Sequence, residues 1–353
     1  MNMISYELHD FLSNGILQKY VIELLIFVPF VAMLTRILII RFSSIGDIML
    51  TTPIIRVLYQ QLEGEVEIDY ITKSGYASML ESNPYIKRVI TIEKSVVEQK
   101  VLLSTERYDY VVDLHSNLRS GQVKQLVKAL AFRVDKRNLA KWIYVNTKRE
   151  MLSIGQFVSR CFEAVATLGV EDDGKGLDFF IDDHDQVSNS RLPNPFQSGY
   201  MVYAIGGKMK GKILPTEKIV TLCRKIDRPI VLIGGQEDQE RGAEIAKQCG
   251  QNVLNACSEY SIGQSASIMA QAECVITHDT GMMHIAAALK KKVISLWFAT
   301  TPQLGFAPWQ PGEGSKIIEA ECKKRPTSKL GNRGYADGGV FNIDLNLIAN
   351  SVD

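Results

Sequence analysis

The stretch Cys274–Leu289, with the sequence CVITHDTGMMHIAAAL, decides the fold class of this chain. An apolar, strand-like run leads through a polar turn into a helix of small residues. Backbone N–H groups and the positive end of the helix dipole therefore meet at the turn, which suits a phosphate or a sugar hydroxyl. An ordinary helix cap, in which Asp279 or Thr280 accepts from first-turn amides, is the structural alternative.

A second strand-to-helix turn of this kind occurs in Ile37–Ile48, with the sequence ILIIRFSSIGDI. Four consecutive aliphatic residues predict a strand buried on both faces, as in a parallel sheet. Ser44, Gly46 and Asp47 then form a polar turn, for which a helix N-cap at Asp47 and a tight turn at Gly46 are the structural alternatives. Because open α/β sheets bind ligands outside the carboxyl ends of their strands, two such turns indicate two sheets facing one cleft.

Short apolar segments alternate with helical ones in both halves of the chain. This alternation predicts an α/β fold of two Rossmann-like, doubly wound domains that face a cleft. A stretch rich in Asp, Ser, Asn and Pro separates the halves and predicts a linker. We expect an N-terminal extension over 1–34, a first domain over 35–185, a linker over 186–198, a second domain over 199–340, and a C-terminal helix over 341–353 that packs back on the first domain.

The N-terminal extension contains an apolar segment, Val21–Leu34, that includes Glu23 and Pro29. This segment is too short to span a bilayer as a helix. Its acidic start is also unlike the basic start of a signal peptide. Two interpretations remain: either Met33 is the true start of the protein, or the segment is an anchor that lies on a membrane surface.

The composition fits a globular enzyme of two domains, with 353 residues, a net charge of +1 and 46% hydrophobic residues. The charge is unevenly spread, because Arg119–Arg149 holds nine basic residues and one acidic residue, Asp135. A solvated helix face explains such a run, and so does a basic face for an anionic partner or membrane leaflet. Six cysteines without a CxxC pair or metal-ligand spacing predict a reducing compartment.

Four polar blocks stand out along the chain. They are Ser43-Ser44-Ile45-Gly46-Asp47 followed by Thr52-Pro53, Asp113-Leu114-His115-Ser116-Asn117-Leu118-Arg119-Ser120, Lys212-Ile213-Leu214-Pro215, and Asp279-Thr280-Gly281 with His284. In order and spacing, this set resembles glycosyltransferase family 9, the heptosyltransferase-type family, over about residues 35–345. No single block carries the resemblance.

The resemblance implies a GT-B glycosyltransferase that inverts the anomeric carbon without a metal or another cofactor. Members of this family build the lipopolysaccharide core, which implies transfer of a heptose from ADP-heptose to an anionic lipopolysaccharide-type acceptor. It also implies a cytoplasmic protein in peripheral contact with the inner leaflet of the inner membrane, without a nucleic-acid partner. The alternatives are a transferase of the same fold with another nucleotide sugar and glycan acceptor, and a non-catalytic nucleotide- or sugar-binding protein.

Displacing a nucleoside diphosphate from a sugar needs a base for the acceptor hydroxyl and stabilisation of the departing phosphates. By their match to the family, Asp47 is the candidate general base and Lys212 the candidate phosphate ligand. The other donor-side candidates are Asp279, Thr280, Gly281, His284, Gln236 and Asp238, and the acceptor-side candidates are Ser44, Gly46, Asn117 and Arg119. A surface position for Lys212 and a packed, structural His284 are the alternatives.

Two further motifs are set aside, and one departure from the family is noted. Asp183-His184-Asp185 has the Asp-x-Asp form that binds metal in other sugar transferases, but it belongs to the polar linker, so no metal site is predicted. The Gly pairs at Gly206 and Gly234 lack the glycine fingerprint of a dinucleotide site, which disfavours an NAD dehydrogenase. Trp297–Pro302 differs from the Phe-Gly-Pro-Thr type loop of many members, which leaves the base and sugar of the donor open.

Overall fold

The computed structural model describes residues 34–321, 325–332 and 342–352. The predicted N-terminal extension therefore lies, except for Leu34, outside the described residues. Two sheets organise the described residues. Apart from Leu34 and Glu63–Glu65, both sheets belong to one compact unit.

The first sheet has five strands in the order β3-β2-β1-β4-β5. Its strands are β1 (Leu34–Ile40), β2 (Glu65–Lys73), β3 (Arg88–Ile92), β4 (Tyr110–Asp113) and β5 (Leu130–Arg133). β2 runs parallel to β3, and β1 and β5 run parallel to β4. The aliphatic run Ile37–Ile40 is fully buried, as its sequence predicts for a central parallel strand.

Within the described ranges, six helices accompany the first sheet. They are α1 (Ile45–Met49), α2 (Thr52–Gln61), α3 (Lys100–Thr105), α4 (Leu118–Val127), α5 (Asn138–Thr147) and α6 (Phe157–Val165). Pro53 lies in the first turn of α2, where its missing N–H costs no hydrogen bond. Helix α6 buries Phe157, Cys161 and Val165, whose spacing of four residues places them on one face.

The second sheet has six parallel strands in the order β11-β10-β9-β6-β7-β8. Its strands are β6 (Met201–Ala204), β7 (Ile230–Ile233), β8 (Val253–Asn255), β9 (Cys274–His278), β10 (Lys292–Trp297) and β11 (Lys316–Glu319). Its helices are α7 (Thr216–Lys225), α8 (Gln239–Cys249), α9 (Ile262–Gln271), α10 (Gly281–Ala288) and α11 (Leu345–Ala349).

Both strand orders are those of a doubly wound Rossmann sheet. Counted from its own first strand, each sheet reads 3-2-1-4-5, and the second sheet continues with a sixth strand. The predicted fold of two Rossmann-like domains is confirmed. Among the helices of the described residues, none combines the length and the apolar character that a membrane crossing requires.

The predicted linker, 186–198, contains two short 3₁₀ turns, Asn189–Arg191 and Phe196–Ser198. The sequence analysis predicts that the C-terminal helix packs back on the first domain, and this prediction is wrong. Helix α11 packs against α7 of the second domain, where Ile348 joins the apolar core and Lys225 donates to Asn346. The described apolar side chains that follow β11 complete the core of their own domain, so the helix stays there.

Candidate active site

Each sheet reverses its strand order at one point, between β1 and β4 in the first sheet and between β6 and β9 in the second. Ligands of open α/β sheets bind outside the carboxyl ends of the strands at these switch points. Three of the four blocks that carry the resemblance follow β1, β4 and β9, and the Lys212 block follows β6. Blocks that are far apart in sequence therefore all occur at the edges where a site is expected.

Helices α1 and α10, one from each domain, contact each other through two glycines. A Cβ added at Gly281 would lie 2.5 Å from Ile45 Cβ, and one added at Gly46 would lie 2.7 Å from His284 Cδ2. Both distances are shorter than any real Cβ contact, so only glycine allows this approach. The first turns of the two helices consequently meet at one place, as the pair of polar turns predicts.

Asp47 is the third residue of α1, and its carboxylate is held on both oxygens. Arg41 forms a salt bridge of 2.7 Å with Oδ1, while the Ser44 hydroxyl and amide donate to Oδ2 over 2.8 and 3.1 Å. Burial alone would raise the pKa of Asp47, but Arg41 and then the Ser44 hydrogen bonds outweigh it, and the pKa is lowered. Ser44, rather than Asp47, occupies the N-cap position. The carboxylate is ionised at neutral pH and 24% exposed.

Lys212 and Asp279 form an ion pair at the start of α10. Lys212 Nζ lies 2.6 Å from Asp279 Oδ2, and the Thr300 hydroxyl donates to the same oxygen over 2.6 Å. The Asp279 carboxylate thus orients the ammonium. Because an ammonium has three donors, Lys212 can keep this contact and still bind a phosphate oxygen.

The backbone that carries Lys212 is fixed by His278, the last residue of β9. Leu214 N–H donates to His278 Nε2 over 3.2 Å, and Tyr203 Oη lies 3.2 Å from the same nitrogen. Complete burial lowers the pKa of His278 to about 3, so the ring is neutral and can accept. His278 is a positioning residue that the sequence analysis did not single out, although it lies inside the stretch Cys274–Leu289.

Two polar atoms at the first turn of α10 are buried and have no hydrogen-bond partner among the described residues. They are Thr280 Oγ1 and His284 Nδ1. Burial lowers the pKa of His284 to about 4, so its ring is neutral at physiological pH. Buried polar atoms are normally paired, and both residues line the cleft between the domains.

Two adjoining cavities occupy this cleft. The larger has a volume of about 620 Å³ and the smaller of about 180 Å³. The residues common to both linings are Ser44, Gly46, Lys212, Asp279, Thr280, Gly281 and Leu330. The larger cavity continues along the strand ends at Gly206 and Gly234, and the smaller one contains Asp47 and His284. The cleft therefore has a wide part, the larger cavity, and a narrow part, the smaller cavity, beside the Asp47 carboxylate.

The two donor-side candidates after β7 have different environments. Asp238 is buried, lines the larger cavity, and accepts from Gly235 N–H and from Arg241. Burial raises the pKa of Asp238, against the opposing effect of Arg241. Gln236 is exposed and lines neither of the two cavities.

The two acceptor-side candidates after β4 also lie outside both cavity linings. Asn117 is the N-cap of α4, where its side chain accepts from Ser120 N–H over 2.9 Å. The Arg119 guanidinium lies 5.8 Å from the centroid of the Phe42 ring. Of the predicted site residues, the structure brings together all except Gln236, Asn117 and Arg119.

A stack of cations and aromatic rings lies behind the Asp47 carboxylate. Arg41 and Arg160 lie 5.1 and 5.2 Å from the Phe157 centroid, and Lys141 lies 4.5 Å from the centroid of Phe306. The two rings stack on each other at 5.7 Å. Phe306 belongs to the loop after β10 and reaches across from the second domain. The sequence analysis missed this stack, because its members come from four separate segments.

The comparisons with known proteins agree with this geometry. The family model described as glycosyltransferase family 9 (heptosyltransferase) matches residues 99–332, more than half of the chain. The chain belongs to glycosyltransferase family 9. Lipopolysaccharide heptosyltransferase 1 of Escherichia coli (strain K12) is 26% identical to this family 9 chain over 295 residues, which cover 76% of the chain and 89% of that relative. Lipopolysaccharide heptosyltransferase 1 of Campylobacter coli is 22% identical over 289 residues, which cover 75% and 84%.

Solved structures show the same fold. A glycosyl transferase family 9 protein from Veillonella parvula superposes with a TM-score of 0.73 at 18% identity, covering 90% of this chain and 96% of that one. The E. coli heptosyltransferase WaaC with ADP gives a TM-score of 0.65 at 22% identity, covering 90% and 98%. The predicted GT-B fold and the predicted class of enzyme, a glycosyltransferase, are confirmed.

The motif Asp183-His184-Asp185 forms a 3₁₀ turn in this family 9 chain. Its Asp185 accepts from the Ser261 hydroxyl over 2.8 Å, at the N-cap of α9. Within the described ranges, no three His, Cys, Asp or Glu side chains converge as metal ligands would. Asp185 thus ties the segment directly before the predicted linker to the second domain.

Proposed function

We propose that this chain transfers a heptose from ADP-heptose to an anionic lipopolysaccharide-core acceptor, with inversion and without a metal ion. The observation that carries the proposal is the convergence of Asp47 and Lys212 on one narrow cavity, each delivered by a different domain. A carboxylate and a cation on opposite sides of a bond are what a single displacement needs.

In the proposed step, the acceptor oxygen attacks the anomeric carbon and its proton passes to the Asp47 carboxylate. The bond from that carbon to the diphosphate breaks, and its electron pair stays on the phosphate oxygen. Lys212 Nζ and the first-turn N–H groups of α10 stabilise this charge, which is the part a metal ion plays in other transferases. One displacement inverts the configuration at the anomeric carbon.

ADP-heptose as donor is supported by similarity alone, since the E. coli structure of this fold was solved with ADP. The larger cavity offers Tyr260 and Met282 as apolar surface for a base and Asp238 as a polar group. The divergent loop contributes Trp297, Thr300 and Thr301 to the smaller cavity. Its sequence therefore bears on the sugar and the acceptor more than on the base, which keeps another nucleotide sugar as the second candidate.

The anionic acceptor is supported by the cations around the smaller cavity. Lys329 lines it directly. Burial and then the neighbouring Arg41 lower the pKa of Lys136, while Asp113 and Asp47 act in the opposite direction. We propose that the acceptor is held at the inner face of the cytoplasmic membrane, so that the enzyme works in the cytoplasm in peripheral contact with the leaflet.

Four measurements test the donor and the reaction. Thermal shifts with ADP, UDP and GDP rank the bases, because a ligand at 100-fold its dissociation constant stabilises the fold by about 2.7 kcal/mol. Incubation with ADP-heptose and a lipopolysaccharide inner-core precursor should then release ADP and add one heptose mass to the precursor. NMR of the product should show the inverted anomer, and EDTA should leave the rate unchanged.

The variant Asp47→Asn keeps the shape of the side chain and removes the base. It should abolish transfer while the ADP-induced thermal shift persists. A preference for UDP or GDP would favour the second candidate. Nucleotide binding without any transfer by the wild type would favour a binding protein and refute catalysis.

A further inference from the structure

Helix α5 exposes large apolar side chains on its outer face. Leu139 and Trp142 are 66% and 64% exposed, and their spacing of three residues puts them on the same side of the helix. Met151 and Leu152, just beyond the helix, are 67% and 47% exposed. These four residues are named the α5 outer surface.

Exposed basic residues border the α5 outer surface at the end of the helix. Between Lys136 and Leu152 the chain has five basic residues and one acidic residue, Glu150. Of the five, Lys141 is buried on the inner face and Lys136 and Arg137 are half-buried. Lys148 and Arg149 follow the last residue of α5 and are exposed, and the exposed Glu150 separates them from Met151. Exposed Trp and Leu beside lysines and arginines are typical of segments that lie in the interface of an anionic bilayer. Protein–protein interfaces, in contrast, are depleted in lysine.

The inner face of α5 borders the smaller cavity. Lys141 lies over the Phe306 ring, and Asn138 accepts from Lys329 Nζ over 3.1 Å. Phe306 and Lys329 both line that cavity. One helix, about 10 Å across, therefore separates the cavity from the α5 outer surface.

We propose that the α5 outer surface docks on a bilayer of anionic phospholipids and presents the smaller cavity to a lipid-linked acceptor. The apolar side chains enter the interface, and the exposed basic residues beside them pair with lipid phosphates. The part about the acceptor rests on the proposed function, whereas bilayer binding does not. The exposed basic residues are complementary in charge to anionic phospholipids, so we propose a membrane as the partner. A second copy of this chain is disfavoured, because docking it here would bring like charges together.

Vesicle binding of the full chain tests the proposal. The wild type should co-sediment with vesicles of phosphatidylglycerol and phosphatidylcholine at least tenfold more tightly than with phosphatidylcholine alone. High salt should weaken the binding, because the charges are exposed. The double variant Leu139→Ser with Trp142→Ser should lose at least tenfold in partition, while Leu347→Ser in α11, whose leucine is 48% exposed, serves as the matched control.

Tryptophan fluorescence gives a second readout. The chain has three tryptophans, and Trp297 is buried while Trp309 is half-buried. Anionic vesicles should shift the emission of the wild type to shorter wavelength, and Trp142→Phe should abolish the shift. Persistence of the shift in that variant would assign the contact to another surface and overturn the proposal.

The outcomes separate this proposal from the proposed function. The double serine variant should transfer to a delipidated, water-soluble acceptor at the wild-type rate and lose activity only on acceptor embedded in vesicles. Vesicle binding without any transfer would refute the proposed function, and the proposal that the α5 outer surface binds membranes would still stand. The membrane-binding proposal would be refuted if the wild type and the double variant bound vesicles equally well. It would also be refuted if the wild type formed a dimer that the double variant disrupts.

Discussion

Gly46 and His284 face each other across the domain boundary, so closely that a Cβ at residue 46 would lie 2.7 Å from His284 Cδ2. His284 is only 3% exposed and has little room to withdraw. The contact couples the turn that carries Asp47 to the helix whose first turn faces the donor. A change of one methyl group at this point therefore affects both halves of the site.

The variant Gly46→Ala should lower the free energy of unfolding by about 1–3 kcal/mol, as overpacking does elsewhere. It should also lower kcat, because the two helices must separate. Urea unfolding and the transfer assay measure both effects. Gly121→Ala in α4 is the control, since a Cβ there meets nothing within 4 Å, and it should stabilise by about 0.5–1 kcal/mol. Wild-type stability and kcat in Gly46→Ala would contradict the close contact.

The variant Ser44→Ala should move the acidic limb of the pH–rate profile to higher pH. The Ser44 hydroxyl helps to lower the pKa of Asp47, and Asp47 must be ionised to accept the proton. Ser104→Ala, which removes a hydroxyl that donates to a backbone carbonyl in α3, should leave the limb in place. A limb that stays fixed in Ser44→Ala would mean that Asp47 is not the group that titrates.

The same variant has a consequence for stability, whose sign follows from the lowered pKa. A carboxylate with a lowered folded-state pKa stabilises the fold above its unfolded pKa of about 3.9, and this contribution is lost as pH falls through the folded pKa. Ser44→Ala should therefore cost about 1 kcal/mol at pH 7. Urea unfolding at several pH values should show that the loss in free energy of unfolding of Ser44→Ala, relative to the wild type, becomes smaller as the pH falls.

Replacing Lys212 by Met should lower kcat by about 10²–10³-fold, the usual cost of losing one group that stabilises the developing charge. The fold should persist, because Lys212 is partly exposed in the cleft and Thr300 still donates to Asp279. Steady-state kinetics and a thermal shift with ADP measure the two properties. Lys210→Met, an exposed neighbour outside both cavity linings, is the matched control and should stay within about twofold of the wild type. Equal effects of the two variants would remove Lys212 from the site.

The variant Lys141→Met should stabilise the protein, and more so at pH 6.5 than at pH 9.5. Burial, and then the neighbouring Arg160, lower the pKa of Lys141 to about 7, although its contact with Phe306 favours the charged form. Between that value and the unfolded pKa of about 10.4, the unfolded chain binds more protons, so the wild type gains stability as pH rises. Urea unfolding of both proteins at the two pH values tests this. A difference in the free energy of unfolding between the two proteins that widens toward alkaline pH would contradict this prediction.

The sequence predicts the local parts of the site well, because they depend on neighbours in the chain. The run Ile37–Ile40 and the stretch Cys274–Leu289 each specify a buried strand, a polar turn and a helix. Both turns lie at switch points of their sheets, as the alternation of strands and helices indicates. Asp47, Lys212 and Asp279 line the cleft for this reason.

The failures of the sequence analysis concern contacts between distant segments. The motif that contains Asn117 predicts a polar turn correctly, and the acceptor-side role of Asn117 stays a prediction, because its side chain caps its own helix and lines neither of the two cavities. Helix α11 packs against α7 of the second domain, and Ile348 joins the apolar core there. No local pattern states which of two similar domains will bury a short apolar helix.

The sequence by itself determined the two doubly wound sheets, the polar turns at their strand ends and the family to which the chain belongs. The tertiary structure alone decided that Phe306 of one domain covers the cations of the other, and that Gly46 lies against His284. Periodicity and turn chemistry act over a few residues, so they can be read along the chain. The docking of two domains depends on complementary surfaces assembled from segments more than a hundred residues apart.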